Sequence, residues 1–292
     1  MKKILIGVGV FCLCLAGAGA YQFAKKKKEK KEEYPASYFK KTMSDEKGDN
    51  LLFGKIGDEE IGIAVSNSYN TNVLVCGDTG SGKNFNYMLP NLMNGNFSVV
   101  IYEPTNCTAP VSVLEEKGYE IVELTDDSFA EEEIQETILK ARQQKTALIL
   151  NVSDMNFSYA VEKVFGTLMK KPEGNHVMFW IDEICNTPKI KELENMLIFA
   201  RKSNASFQLI TQSIRVFECK YTENIEHFEL LLANIGTFLI TGTPSHDNAE
   251  YFAEKIMGDK NYQLPEVKPS QNLVNAYGHV AVCEKLNPAD YR

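Results

Sequence analysis

The segment "GDTGSGKN", Gly77 to Asn84, has the spacing of a phosphate-binding loop, G-x-x-x-x-G-K, complete through Lys83. Gly77, Gly80 and Gly82 carry no Cβ, so the backbone N–H groups around Asp78, Thr79 and Ser81 can turn inward toward phosphate oxygens. Lys83 would add a point charge for the β- and γ-phosphates. The residue after the lysine should be a hydroxyl that ligates Mg²⁺, and here it is Asn84. Its amide oxygen is a neutral carbonyl ligand that must be correctly oriented, so this loop is expected to hold ATP but to place Mg²⁺ weakly. An ordinary glycine-rich turn with an exposed lysine is the competing reading of the same residues.

A second acid-bearing pattern follows downstream. "VMFWIDE" is an apolar run ending in Asp182 and Glu183. A strand of that kind would bring Asp182 beside the phosphate loop, where it can hold Mg²⁺ through water, and Glu183 could orient the attacking water. Taken alone, the pair reads as a solvated acidic strand end. Both patterns, in this order and each at the end of an apolar strand, point to nucleotide binding.

Parallel strands are needed to put both patterns at one sheet edge, and the chain supplies them. "NVLVC" (72–76), "FSVVIYE" (97–103), "EIVEL" (120–124), "TALILNV" (146–152), "VMFWID" (177–182), "SFQLIT" (206–211) and "GTFLIT" (236–241) all read as strands. Several are continuously apolar, as strands covered on both faces should be. Between them, "SFAEEEIQETILKARQQ", "KELENMLIFARK" and "SHDNAEYFAEKIMG" have helical spacing, with Asp127 or Ser128 and Ser245 as N-caps and Gly258 as a stop. "NFNYMLPNLM" reads as a helix as far as Pro90. The alternation predicts an α/β fold, a mostly parallel sheet flanked by helices.

The first residues stand apart from that fold. Ile4 to Ala24 contains no charge, and roughly 20 residues at helical rise cross a hydrocarbon core, so the stretch can span a membrane once. A cleaved secretory signal is the alternative, because "AGAGA" offers small residues to a peptidase. Lysines before the stretch and "KKKKEKK" after it favour an uncleaved anchor at residues 1–24 with the body in the cytoplasm. Residues 25–50 read as a charged juxtamembrane tether, and packed structure is expected over 51–292.

Residues 1–33 hold eight Lys and three Glu, a net +5, which leaves the rest of the chain at −13. A body so acidic is unsuited to wrapping nucleic acid with its general surface, although a local basic loop facing a channel remains open. The seven cysteines are scattered without a C-x-x-C pair, as expected of reduced thiols. The four histidines have no ligand spacing, and no zinc site is expected.

"VLVCGDTGSGKNFNYMLPNL" resembles the phosphate-loop region of the type IV secretion coupling proteins, the TraG/TraD-type conjugation ATPases. "FWIDEICNTPKIKELENMLIFARKSNASFQLITQSIRVFECKY" resembles their second signature, from D-E through an apolar helix and an arginine to a strand ending in Q-S, and "ANIGTFLITGTPSHDNAEYFAEKIMG" is similar to the stretch that follows. The resemblance covers most of residues 51–260. It implies a RecA-like domain that assembles as a hexameric ring at the membrane and passes single-stranded DNA, or a relaxase–DNA complex, toward secretion-channel proteins. On matching residues it implies Lys83 for phosphate, Asp182 for Mg²⁺, Glu183 for the water, Arg201 for a neighbouring subunit's nucleotide and Gln212 as sensor of the γ-phosphate. Pairing of Arg201 with Glu194, and loop capping by Gln212, are the structural alternatives.

Three departures bear on activity. Asn84 replaces the hydroxyl. "EPTNC" stands where the family has D-P-K-G-E, so Glu103 and Pro104 keep an acid and the turn while Thr105 and Cys107 lose two charges. Cys107 to His176 has room only for a strand–helix–strand–helix connection in place of the family's all-helical domain. Two functions from different classes follow: a slow ATP-driven coupling protein, and a non-hydrolysing scaffold that docks partners at the membrane. An unrelated anchored phosphate-loop protein is a third reading, disfavoured by the Q-S strand.

Overall fold

The computed structural model describes residues 35–46, 48–66, 68–102, 111–222, 225–259 and 261–291. The expected anchor at Ile4–Ala24 and the "EPTNC" segment lie outside them. Among the described residues no helix is long and apolar enough to cross a membrane.

Eleven strands form one sheet: β1 Asn50–Ile56, β2 Glu59–Ala64, β3 Val73–Cys76, β4 Ser98–Tyr102, β5 Glu120–Leu124, β6 Thr146–Leu150, β7 Val177–Ile181, β8 Ala205–Thr211, β9 Thr237–Thr241, β10 Gln271–Ala276 and β11 His279–Glu284. Their order is β2-β1-β11-β10-β9-β3-β8-β7-β4-β6-β5. From β9 through to β5 every neighbouring pair is parallel, and from β9 to β2 every pair is antiparallel. The parallel part holds all seven strands expected from the apolar runs. The antiparallel part, β1, β2, β10 and β11, was not anticipated, because these strands mix polar residues such as Asn272 and Asn275 into their runs.

Alternation along β7 shows why the runs are continuously apolar. Val177, Phe179 and Ile181 enter one core, with the helices Glu131–Gln143, Asp154–Met169 and Leu193–Ala200. Met178 and Trp180 enter the other, with Phe39, Tyr87 and Leu92. Both faces are covered, so neither face needs polar residues. Between β4 and β7 the described residues form β5, the helix Glu131–Gln143, β6 and the helix Asp154–Met169, as expected, preceded by a helix Val111–Glu116 that was not expected.

Three local expectations are corrected. Packing begins before Leu51: the helix Pro35–Thr42 carries Phe39 fully buried against Phe53, so the charged tether ends earlier than expected. Neither Asp127 nor Ser128 caps the helix at Glu131. Its N-cap is Ala130, because the Ser128 hydroxyl accepts instead from Thr125 N–H at 3.0 Å, closing a turn. Finally, the helix after the phosphate loop passes through Pro90. Its first part, Lys83–Met88, is wound wide, with Leu89 N–H donating to the Asn84 carbonyl five residues back, and it continues as Leu89–Asn94. The widened turn sits just before the residue that has no N–H to give. Ser245 does cap its helix, accepting from Asn248 N–H at 3.4 Å, and Gly258 stops it at φ 67°.

Arg142 ties the edge of the sheet opposite the phosphate loop. Its buried guanidinium donates to the carbonyls of Lys171 (2.8 Å), Asn175 (2.6 Å), Asn204 (2.8 Å) and Ser203, joining the ends of two helices to the strand entries of β7 and β8. Replacing it by Met leaves these carbonyls without their donor and should cost about 3 kcal/mol or more in denaturant unfolding, against under 1 for a surface arginine. Nearby, His176 lies between Asn204 Oδ1 (3.1 Å) and Ser206 Oγ (2.8 Å), and burial lowers its pKa to about 4. Because the unfolded chain takes up this proton near pH 6.5 and the folded chain does not, stability should fall as pH drops from about 6.5 to 4. A His176→Gln variant should flatten that part of a melting-temperature profile.

Candidate nucleotide-binding site

The loop Gly77–Gly82 leaves the C-terminal end of β3 and enters the helix Lys83–Met88, at the edge where parallel strands collect their ligands. Gly77 is required sterically. A Cβ there would stand 2.2 Å from Thr241 Oγ1 and 2.5 Å from Ser81 Oγ. Gly80 and Gly82 have φ of 78° and 89°, the left-handed region that glycine enters without penalty. Nothing lies within 4 Å of the Cβ position of Gly80, and Asp78, Thr79 and Gly80 are exposed, so the mouth of the loop is open. Lys83 Nζ donates to the carbonyls of Gly77 at 2.7 Å and Asp78 at 3.0 Å, curling over the loop. Burial lowers its pKa, opposed by the charges of Asp182 and Glu183.

Asp182 follows β7, two strands from β3 across the sheet, with β8 between them. It is buried, with its Oδ1 accepting from Glu183 N–H at 2.9 Å and its Oδ2 accepting from the Asn84 amide at 2.7 Å. Burial raises the Asp182 pKa, and these two donors oppose the rise. The phosphate loop and the downstream acid are therefore in direct contact. Glu183 has φ 47°, an uncommon conformation for a residue with a side chain, and its Oε2 accepts from Asn186 Nδ2 at 2.9 Å.

Gln212 is exposed just beyond β8, and its carbonyl accepts from Cys76 Sγ at 3.5 Å and from Asn248 Nδ2 at 3.3 Å, beside the loop. Arg201 is not brought to this edge. It lies in the turn Arg201–Ser203 that enters β8 from the opposite end, about 20 Å along the strand from Gln212. It is solvent-exposed and too distant to touch a nucleotide on its own loop.

Four contributors were not anticipated. Thr241 Oγ1 bonds Ser81 Oγ at 2.7 Å, and Asn248 braces Gln212. Asn86 Nδ2 donates to the Leu286 carbonyl at 2.8 Å, and Lys285 Nζ donates to the Ser81 carbonyl. Lys285 and Leu286 follow β11, so the antiparallel hairpin clamps the loop from a distance of some 200 residues in sequence. No local pattern marks them. Elsewhere, exposed His246, Asp247 and Glu250 bring ligand-type atoms within 4.8 Å of one another, but Arg215 holds Glu250 at 3.4 Å.

The residues fit a nucleotide's phosphates: glycines where side chains would fill the cradle, an open mouth and a lysine over it. They fit Mg²⁺ poorly. The group at position 84 presents an N–H donor to Asp182, and its oxygen, Oδ1, is buried. An acid that accepts two N–H groups has less capacity left for a metal's water shell.

Residues 176–273 match the family model described as the TraM recognition site of TraD and TraG. Over that stretch the chain is similar to the type IV secretion coupling proteins TraD and TraG. The solved bacterial conjugative coupling protein TrwBdeltaN70, 11% identical, aligns with TM-score 0.57 over 87% of this chain and 90% of its own. VirB4 of Thermoanaerobacter pseudethanolicus, also 11% identical, aligns with TM-score 0.53 over 82% of this chain and 96% of its own. At these identities the two structures establish the shared fold, a mixed α/β sheet with helices. The pCW3 conjugation coupling protein TcpA aligns at TM-score 0.46, 15% identity, over 86% and 71% of the two chains. Comparison with curated protein sequences gives no match.

The cradle predicts a graded response to glycine replacement. Gly77→Ala, with nowhere to put its methyl group, should abolish measurable binding of a fluorescent ATP analogue. Gly80→Ala meets only the left-handed strain of about 1–2 kcal/mol and should weaken binding by about tenfold.

Proposed function

We propose that this chain is an ATP-binding coupling protein of a conjugative type IV secretion system, held at the membrane by residues 4–24 with its body in the cytoplasm. The nucleotide lies on Gly77–Asn84. The protein assembles as a ring, a homo-hexamer in this reading, that helps deliver single-stranded DNA or a relaxase–DNA complex to secretion-channel proteins. The observation that carries the reading is the direct contact between the residue after Lys83 and Asp182, which joins both signatures at one sheet edge. The match at 176–273 supports a protein partner on that half of the domain, since the matching region of TraD and TraG recognises TraM.

Residue roles follow from position. Lys83 and the loop N–H groups bind phosphate, Glu183 orients water at the open mouth, and Gln212 borders the terminal phosphate. Arg201, exposed at the far edge, serves a site on a neighbouring subunit, so hydrolysis depends on ring assembly. Hydrolysis is slow, because the hydroxyl that would organise Mg²⁺ is replaced by an amide bonded to Asp182.

That same bond favours a second reading, a nucleotide-binding scaffold that does not hydrolyse. ATP turnover by the full chain in detergent, with and without single-stranded DNA, separates the two. The coupling reading expects slow wild-type turnover, a rise of at least about tenfold in Asn84→Thr, and loss in Glu183→Gln. Nucleotide binding without turnover in any form would leave the scaffold.

A further inference from the structure

Two lysines converge on the phosphate loop, and this inference, resting on the nucleotide reading above, concerns what they do together. Lys83 Nζ is bonded to the Gly77 and Asp78 carbonyls, and Lys285 Nζ to the Ser81 carbonyl. Among the described residues neither ammonium forms an ion pair within 4 Å of a carboxylate. Both are partly buried, and burial, then repulsion from Lys83, lowers the Lys285 pKa. Two ammonium groups on one loop, hydrogen-bonded only to neutral carbonyls and with Asp182 and Glu183 near Lys83 but beyond ion-pair distance, favour an anion between them. Gly242 leaves this approach open: a Cβ there would stand 3.4 Å from Lys285 Nζ and 3.8 Å from Ser81 Cβ.

On the opposite side of the loop, the place of the metal ligand is taken by the Asn84 amide, which bonds Asp182 and buries its own oxygen. We infer that Lys285 is a second phosphate-binding cation of this loop. With Lys83 it neutralises the triphosphate tail that a divalent cation neutralises where a hydroxyl stands at position 84, so nucleotide binds without Mg²⁺. Each ammonium exchanges a neutral carbonyl for a charged phosphate oxygen, a shorter and stronger hydrogen bond. No bond is made or broken, and the Asn84–Asp182 pair stays closed.

The test is titration of the full chain in detergent with a fluorescent ATP analogue, in EDTA and in Mg²⁺, with a melting curve for every variant. Lys285→Gln keeps a donor for the Ser81 carbonyl and removes only the charge, so it separates phosphate binding from loop clamping. Wild-type affinity should differ by no more than about threefold between EDTA and Mg²⁺. In EDTA, Lys285→Gln should bind about 10- to 100-fold more weakly, with a melting temperature near wild type, and Lys285→Arg should retain most of the affinity. Asn84→Thr should become Mg²⁺-dependent. Loss of wild-type binding in EDTA alone, or unchanged binding by Lys285→Gln, overturns the inference and leaves the nucleotide reading standing. A folded wild type that binds in neither condition overturns both.

Discussion

One hydrogen bond, from the Asn84 amide to the Asp182 carboxylate at 2.7 Å, joins the two halves of the site. It spans from the helix after β3 to the end of β7, across β8, and holds the phosphate loop against the acid that follows the apolar strand. Asp182 is buried, and an ionised carboxylate there needs donors. Asn84 and the Glu183 N–H supply them. The same substitution that removes a metal-ligating hydroxyl thus supplies a neutral donor to the acid. The site keeps its shape while changing how it handles charge.

That change makes the antiparallel side of the sheet part of the site. Where a bound divalent cation would balance phosphate charge, this loop has Lys83 on one side and Lys285 on the other. Lys285 reaches Ser81 only because β10 and β11 extend the sheet beyond β9, and the Asn86 to Leu286 bond fixes the hairpin end to the helix. Thr241, at the end of β9, and Ser81 fill the space beneath and require glycine at position 77. The cradle is built from both parts of the sheet.

The opposite edge is organised by burial of Arg142 among backbone carbonyls, and there the exposed Arg201 enters β8. An arginine on this edge and a glutamine on the other are joined by one strand, about 20 Å apart.

Much of this was legible in the sequence. Apolar runs marked all seven parallel strands, several of them continuous, since a strand covered on both faces has no room for a polar alternation. The glycine spacing and the acids after "VMFWI" marked the loop and its partner. Less was legible where polar residues entered a strand. Asn272 and Asn275 hid β10, and the helix at Pro35 was hidden among lysines. The direction of the Asn84 amide was beyond sequence reading, because its oxygen and nitrogen are equally available until a neighbour chooses between them.

The residue types and their spacing therefore determined by themselves the α/β class, the phosphate loop and the identity of the acids. The tertiary structure alone decided which group faces Asp182, that Lys285 and Leu286 close on the loop from far along the chain, and that Arg201 stands at the far edge. The reason is physical: spacing along a strand or helix fixes local direction, while contact across a sheet depends on strand order, which pairs residues that have no regular separation in sequence.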